Sequence, residues 1–150
     1  MLRLRTPRND EAAALTELCL RSKAVWGYGE DFMRACREEL TLTDSAMEAS
    51  FVMVAEIDGD PVGVAQVTVE GDTAELDKLF IEPAHLGSGV GKALFDWATT
   101  TARDAGAATL VIDADPGAAG FYRRMGALDD GTAPSGSIPG RVLPRLKLVL

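Results

Sequence analysis

The spacing of apolar residues in the first fifty positions predicts one strand and two helices. Leu2 and Leu4 alternate with arginines, which is the period of a short half-buried strand. Apolar residues then recur every three or four positions, behind acidic residues that we place in the first turn, and predict a helix. A break with two glycines at 22–29 separates it from a second helix ending at Leu40. The polar stretch 41–50 fits a loop or a further helical turn.

Three strands follow in succession. Phe51–Ile57 is apolar and ends at an Asp-Gly sequence typical of hairpin turns. Alternating valines carry a second strand from Val62 to Val69, and a third spans Ala74–Ile81. After a glycine-rich stretch, helical spacing returns and predicts a helix over Gly89–Arg103.

The last fifty residues predict a strand, a helix and two more strands. Ala108–Asp113 is short and continuously apolar, as expected of a strand covered on both faces. Asp115 before Pro116 fits the N-cap and first position of a helix, which we predict over Pro116–Met125. Two terminal strands, Ala127–Thr132 and Val142–Leu150, flank a Gly/Ser/Pro-rich connection.

The predicted order is β-α-α-β-β-β-α-β-α-β-β. The chain has 150 residues, of which 47% are hydrophobic, so it has the length for one core but not for two. We therefore predict a single α/β domain over 1–150, with a mixed sheet of about seven strands flanked by about four helices.

Composition narrows the function classes. The net charge of −8 argues against a nucleic-acid surface and is compatible with an amine-bearing partner. Cys19 and Cys36 have neither metal-ligand nor CxxC spacing, which predicts buried free thiols in a reducing compartment and no metal site. We find no apolar run of membrane-spanning length and no signal peptide, and expect a cytoplasmic protein without membrane contact.

Three glycines mark the junction between the third strand and the helix that follows. Gly87, Gly89 and Gly91 alternate where backbone N–H groups and a helix N-terminus together favour a phosphate, although a plain mobile turn is the simpler interpretation. A Walker A loop is excluded, because Leu86 stands at its first glycine and Ala93 at its hydroxyl position. The spacing also fails the Rossmann pattern.

The stretch resembles the acyl-CoA loop of the GNAT N-acetyltransferase superfamily, [QR]-x-x-G-x-[GA] within L-x-V-x-P-x-x-x-G-x-G-[IV]-G. One departure is Leu86, which stands at the usual Gln or Arg. A second segment resembles the family's N-x-x-A-x-x-F-Y-x-x-x-G-[FA], with Asp115 where Asn is frequent. The order of elements is also that of the family, so the resemblance covers nearly the whole chain. The matching residues are Leu79, Ile81, Pro83, Gly87, Gly89, Val90, Gly91, Ala118, Phe121, Tyr122, Gly126 and Ala127.

The resemblance implies an enzyme that moves an acetyl group from acetyl-CoA to a primary amine of a small molecule or peptide, by direct attack in a ternary complex. An alternative is a catalytically weak or inactive domain that binds or senses acyl-CoA, and another is an interaction domain without a cofactor. The cofactor-binding residues it implies are Leu79, Phe80, Ile81, Leu86, Gly87, Ser88, Gly89, Val90, Gly91, Lys92, Asp115, Ala118 and Tyr122.

The resemblance also implies catalytic roles. Tyr122 would protonate the departing thiolate, although it could instead be a core aromatic. A backbone N–H at a β-bulge, among Leu79–Ile81, would stabilise the oxyanion. The strand Ala108–Asp113 would splay from the preceding strand to admit pantetheine.

The general base is open between Asp77, Glu75, Glu82 and a water. Period two places Glu75, Asp77, Leu79 and Ile81 on one face of the strand. His85 fits a pyrophosphate contact or simple exposure better than a base.

The resemblance also implies that the acceptor binds between the first two helices, with their connection, and the last strands. The candidate acceptor-binding residues are Trp26, Tyr28, Phe32 and Arg141, which could equally be packing and turn residues. Many GNAT relatives pair across their last strands, and Val142–Leu150 is apolar enough to allow a homodimer.

Overall fold

The computed structural model describes all 150 residues, and its strands form one mixed sheet. The sheet order is β1-β2-β3-β4-β5-β7-β6, and only the β4–β5 pair is parallel. The strands are β1 (Leu2–Arg5), β2 (Phe51–Ile57), β3 (Asp60–Glu70), β4 (Thr73–Ile81), β5 (Thr109–Asp113), β6 (Leu128–Pro134) and β7 (Val142–Val149).

Helices cover both faces of this sheet. The apolar sides of α1 and α2 pack on β2 and β3 in one cluster, while α4 and α5 contribute to two clusters that include β4 residues. No helix combines the length and the apolar character that a bilayer-spanning segment needs. The helices are α1 (Ala12–Ala24), α2 (Glu30–Leu40), α3 (Asp44–Ala49), α4 (Val90–Asp104) and α5 (Ala119–Arg124), with one 3₁₀ turn at Pro83–His85.

The predicted fold class, strand number and element order are confirmed, with one added helix. The polar stretch after α2 forms α3, because the Thr43 hydroxyl accepts a hydrogen bond from Ala46 N–H at 3.1 Å and caps it. The predicted acidic first turn of α1 is wrong. Glu11 lies at the N-cap position, and its carboxylate is occupied by Arg5.

The predicted start of α5 at Pro116 is also wrong, since the helix begins at Ala119. The Asp115 side chain instead closes a turn, with Oδ1 accepting a hydrogen bond from Gly117 N–H at 3.0 Å. The same N-cap chemistry therefore stabilises a non-helical turn ahead of a six-residue helix.

A β-bulge at Asp77 changes which residues share a face of β4. Gln66 of β3 pairs with Lys78 and Val67 with Leu76, so Asp77 is the extra residue. Ala74 and Leu76 pack with α4 and α5 before the bulge, and Leu79 joins the same cluster after it. The expectation that Glu75, Asp77, Leu79 and Ile81 share a face is therefore wrong, and so is the expected bulge position among Leu79–Ile81.

The last strand is not an edge of the sheet. β7 hydrogen-bonds to β5 on one side and to β6 on the other, which leaves β1 and β6 as the edges. The β7 backbone therefore has no free side for further strand pairing in this fold, and the homodimer stays a prediction.

Candidate active site

A cleft opens where β4 and β5 part. Their parallel pairing covers only Thr73 to Glu75 of β4, after which the C-terminal half of β4 has no partner on that side. β5 stays paired with β7 as far as Asp113. The predicted splaying of these two strands is confirmed.

One backbone amide of β4 faces the cleft without a partner. Glu82 N–H donates to Val62 O of β3 at 2.8 Å, so the alternation of an antiparallel ladder turns Phe80 N–H toward β3 as well. Leu79 and Ile81 N–H point the other way, and Ile81 N–H donates to the Ser22 hydroxyl at 3.2 Å. Of the three residues predicted to provide an oxyanion donor, Leu79 has the free N–H group.

The glycine loop supplies further free amides at one end of the cleft. The first amide of α4 with a helical carbonyl partner is Ala93 N–H, which donates to Gly89 O at 3.1 Å, so the N–H groups before it in the helix have none. Gly87 and Gly89 have φ of 78° and 89°, and a Cβ on either would meet only open space. Gly91 instead allows α4 to pack closely on α5, because a Cβ there would lie 3.3 Å from the Phe121 ring.

The cleft has a volume of about 590 Å³ and extends from the glycine loop to α1, α2 and α5. Two predicted cofactor residues do not line it. The Val90 side chain is 1% exposed and packs in the core, so only its backbone is available. Ser88 is exposed and its hydroxyl donates to His85 O. The predicted residues that line it are Leu79, Phe80, Ile81, Leu86, Gly87, Gly89, Gly91, Lys92, Asp115, Ala118 and Tyr122.

Tyr122 is buried on α5, yet its hydroxyl is available to the cleft. The ring packs against Phe95 and Phe121, so the core interpretation of this residue is correct for the ring. The hydroxyl has no hydrogen-bond partner in the protein and is not among fully buried polar atoms, so it reaches the open space of the cleft. Burial, followed by the charge of Asp115, raises the pKa of Tyr122 and keeps the phenol protonated.

The structure separates the candidate bases. Asp77 lines the cleft, and desolvation there, together with Glu75, raises its pKa against a hydrogen bond from Thr68 and the charge of Lys78. Glu75 does not line the cleft. Glu82 forms two hydrogen bonds with the Arg21 guanidinium at 2.8 and 2.7 Å, which lower its pKa. Asp77 is therefore the carboxylate best placed to accept a proton.

Asp115 joins three loops at the acceptor side. Its Oδ2 accepts a hydrogen bond from the Tyr28 hydroxyl at 2.8 Å, which itself accepts one from Arg141 at 2.7 Å. Lys23 Nζ lies 3.5 Å from the same oxygen, and Phe32 stacks on Tyr28 at 4.0 Å. Tyr28, Phe32 and Arg141, predicted to bind the acceptor, do not line the cleft and instead hold its wall together.

Trp26 is the one predicted acceptor residue that lines the cleft. Its ring lies on Gly117, where a Cβ would come within 2.8 Å of it, and 46% of the residue remains exposed. The ring thus packs on the β5–α5 turn with one face free.

The structure brings residues to the cleft that sequence reasoning missed. Lys78 and Arg124 line it, and Ser22 holds Ile81 N–H. Arg124 follows Tyr122 by two positions, and a basic residue near a predicted phosphate site was a usable signal. Lys78 gave no such signal, because the bulge that orients it depends on pairing with β3.

Comparison with known proteins identifies the family. The sequence profile of the acetyltransferase (GNAT) family matches residues 13–127. The chain belongs to the GNAT family. Membership makes it an N-acetyltransferase with acetyl-CoA as acyl donor, as the sequence resemblance predicted.

Two curated relatives of this GNAT chain have named activities. It is 32% identical to the peptidyl-lysine N-acetyltransferase YjaB of Salmonella typhimurium, over 99% of this chain and 98% of that protein. It is 30% identical to an aminoglycoside N(6')-acetyltransferase type 1 of Stenotrophomonas maltophilia, over 69% of each chain.

Solved GNAT structures share the fold. PaiA N-acetyltransferase of Thermoplasma acidophilum, crystallised with coenzyme A, superposes with a TM-score of 0.80 at 15% identity, covering 100% of this chain and 99% of that one. A GCN5-related N-acetyltransferase of Rhodopseudomonas palustris gives 0.80 at 24% identity, covering 99% and 95%.

The residues of this cleft fit acetyl-CoA. The glycine-loop amides suit phosphate groups, as does Arg124, which also lines the cleft, and the unpaired edge of β4 suits the amides of a pantetheine arm. Leu86, at the usual Gln or Arg, is 51% exposed and leaves these main-chain donors untouched.

Proposed function

We propose that this enzyme acetylates a primary amine in a ternary complex with acetyl-CoA, using Leu79 N–H, Tyr122 and Asp77. The observation that carries the proposal is that one cleft is lined by three groups: an amide donor and a protonated phenol, both without a partner in the protein, and a carboxylate with a raised pKa. Bound acetyl-CoA supplies an acyl group activated as a thioester.

Each group has a separate task in this proposal. Leu79 N–H donates a hydrogen bond to the thioester carbonyl oxygen, where negative charge develops as the amine attacks. Asp77 accepts a proton from the acceptor's ammonium group, directly or through water, and so frees the amine lone pair that attacks the thioester carbonyl carbon. The Tyr122 hydroxyl donates to the departing sulfur, and a thiol titrates near 8.5, so its thiolate is a good acceptor at neutral pH.

The acceptor is proposed to be a flexible primary amine that reaches the cleft between α2 and the Ser135–Arg141 hairpin. That hairpin is held down on α2, because Ser137 Oγ donates to the Glu39 carboxylate and Ile138 packs on the α1–α2 cluster. Because these contacts hold the hairpin against α2, an entrance between them would favour a small amine or an extended side chain over a rigid multi-ring acceptor. The lysine acceptor named for the Salmonella relative is compatible with this shape.

The test is amine-dependent release of free thiol from acetyl-CoA, measured with a panel of amines and lysine peptides. Asp77→Asn should lower kcat/KM by about 100-fold or more, because general-base catalysis typically contributes that much. Glu70→Gln is the matched control, because Glu70 is an exposed carboxylate at the end of β3 outside the cleft, and this change should leave the rate unchanged. If kcat/KM falls equally in both variants, or falls in neither, Asp77 is not the base.

A thermal-shift measurement separates an enzyme from a sensor that binds acyl-CoA without turnover. Acetyl-CoA at about 100 times its Kd should stabilise the protein by about 2.7 kcal/mol in either case. If acetyl-CoA stabilises the protein but none of the amines in the panel causes thiol release, the sensor is favoured.

We further propose that residues 1–150 act as a single domain in the cytoplasm, without nucleic-acid or membrane partners. Two buried free cysteines and the net charge of −8 support this placement. A homodimer would have to use a side-chain surface or one of the edge strands β1 and β6, and sedimentation of the purified protein would detect it.

A further inference from the structure

Three of the 15 arginine and lysine side chains form no ion pair within 4.0 Å: Lys78, Arg103 and Arg124. Arg103 is an exposed residue on α4, but Lys78 and Arg124 both line the cleft. In a protein with eight more acidic than basic groups, two unpaired cations in one cleft indicate binding of anions there.

A chain of neutral hydrogen bonds holds the Lys78 ammonium in position. Lys78 Nζ donates to Gln66 Oε1 at 3.0 Å, and Gln66 Nε2 donates to Ser50 Oγ at 3.0 Å. Ser50 Oγ in turn donates to Ala46 O at 2.6 Å. Gln66 is only 6% exposed, and because its NH₂ group is bound to Ser50, its carbonyl faces Lys78. These hydrogen bonds orient the ammonium but give it no ion-pair partner.

Lys78 lies on the acceptor side of the cleft. The bulge at Asp77 directs it to the sheet face that α1 and α2 cover, where Phe80, two residues on, packs in their cluster. Cys36 and Leu40 of α2 line the cleft with it. The glycine loop begins α4, which packs on the opposite face of the sheet, so phosphates bound at that loop do not account for Lys78.

We propose that Lys78 binds an anionic group, a carboxylate or a phosphate, carried by the acceptor near its amine. This inference rests on the proposed function. An acceptor of this kind brings one negative charge to an unpaired ammonium, and that charge also offsets the repulsion between Lys78 and an incoming ammonium. Lys78 is thus a specificity-determining residue, adjacent in sequence to both the base and the amide donor.

Matched acceptors test the proposal by kcat/KM. The pairs are each amino acid with its carboxamide, phosphoethanolamine with ethanolamine, and lysine peptides with Asp or Asn beside the lysine. The wild type should prefer the anionic member of a pair by about 10- to 100-fold, the range for a hydrogen bond to a charged group. Lys78→Gln should abolish this preference through KM, so that the two members of a pair react alike, while Lys78→Arg retains it.

Arg103→Gln is the control, because it removes the unpaired cation that lies outside the cleft. No preference in any pair of the wild type, or a parallel loss for both members in Lys78→Gln, would overturn the proposal. If no amine is acetylated, the proposed function fails, and calorimetry still decides this inference. Anionic members should bind the CoA-loaded wild type more tightly than their neutral partners, and Lys78→Gln should remove the difference.

Discussion

The chain contains two tyrosines, and the structure predicts opposite outcomes when each loses its hydroxyl. The Tyr122 hydroxyl has no partner in the protein, so Tyr122→Phe removes no hydrogen bond from the folded state. We expect its free energy of unfolding to change by less than about 0.5 kcal/mol, or to rise slightly. The kcat for acetyl transfer should fall by about 100-fold or more, because the departing sulfur loses its proton donor.

Tyr28→Phe should do the reverse. Its hydroxyl donates to Asp115 and accepts from Arg141, so both charged groups lose a partner. Hydrogen bonds to charged groups contribute about 1.5–3 kcal/mol, and partial exposure here favours a total loss near 2 kcal/mol. For a chain of 150 residues this lowers Tm by about 4–8 °C. Turnover should fall by a smaller factor than in Tyr122→Phe.

The assays are urea unfolding of both variants and saturation kinetics by free-thiol release. A Tyr122→Phe variant with wild-type kcat would refute the proton-donor role. A Tyr122→Phe variant as unstable as Tyr28→Phe would refute the claim that its hydroxyl is unpaired, since it would then have lost a stabilising bond.

Three further predictions concern the cleft and the packing of its walls. Asp77 must be deprotonated to act as a base, and its pKa is raised, so activity should fall on the acidic side at a pH above about 4, the ordinary pKa of a carboxyl group. Asp77→Asn should remove this acidic limb of the kcat/KM profile. Gly63→Ala would place a Cβ 2.9 Å from both Leu94 and Val90, and we expect a loss of about 1–3 kcal/mol in urea unfolding; Gly29→Ala, where a Cβ meets nothing and φ is −73°, is the control. Gly117→Ala should displace the Trp26 ring, which a red-shifted tryptophan emission would report, and unchanged emission would contradict the packing described here.

Local signals in the sequence predicted most of the fold. The bounds of β2 and α4 follow from side-chain period, and the glycine loop follows from three glycines at a strand-to-helix junction. The bulge at Asp77 could not be predicted, because it is set by the pairing of Gln66 and Val67 with β4. Sequence reasoning also missed the contact of Tyr28 with Asp115, which lie 87 positions apart. Tyr28, Phe32 and Arg141 were expected to touch the acceptor but hold the cleft wall, because contacts between residues so far apart in the chain leave no local signal in the sequence.

Asp115 has a consequence for how this protein could change its substrate. One carboxylate holds the turn before α5, through Gly117, and the loop between α1 and α2, through Tyr28. In the proposed function, the turn before α5 borders the donor half of the cleft, and the loop between α1 and α2 borders its acceptor half. Substitutions that reshape the acceptor loop will therefore also alter affinity for the donor, and by thermodynamic reciprocity the converse holds. Exchanging this loop between relatives should succeed only when the Asp115 contacts are transferred with it.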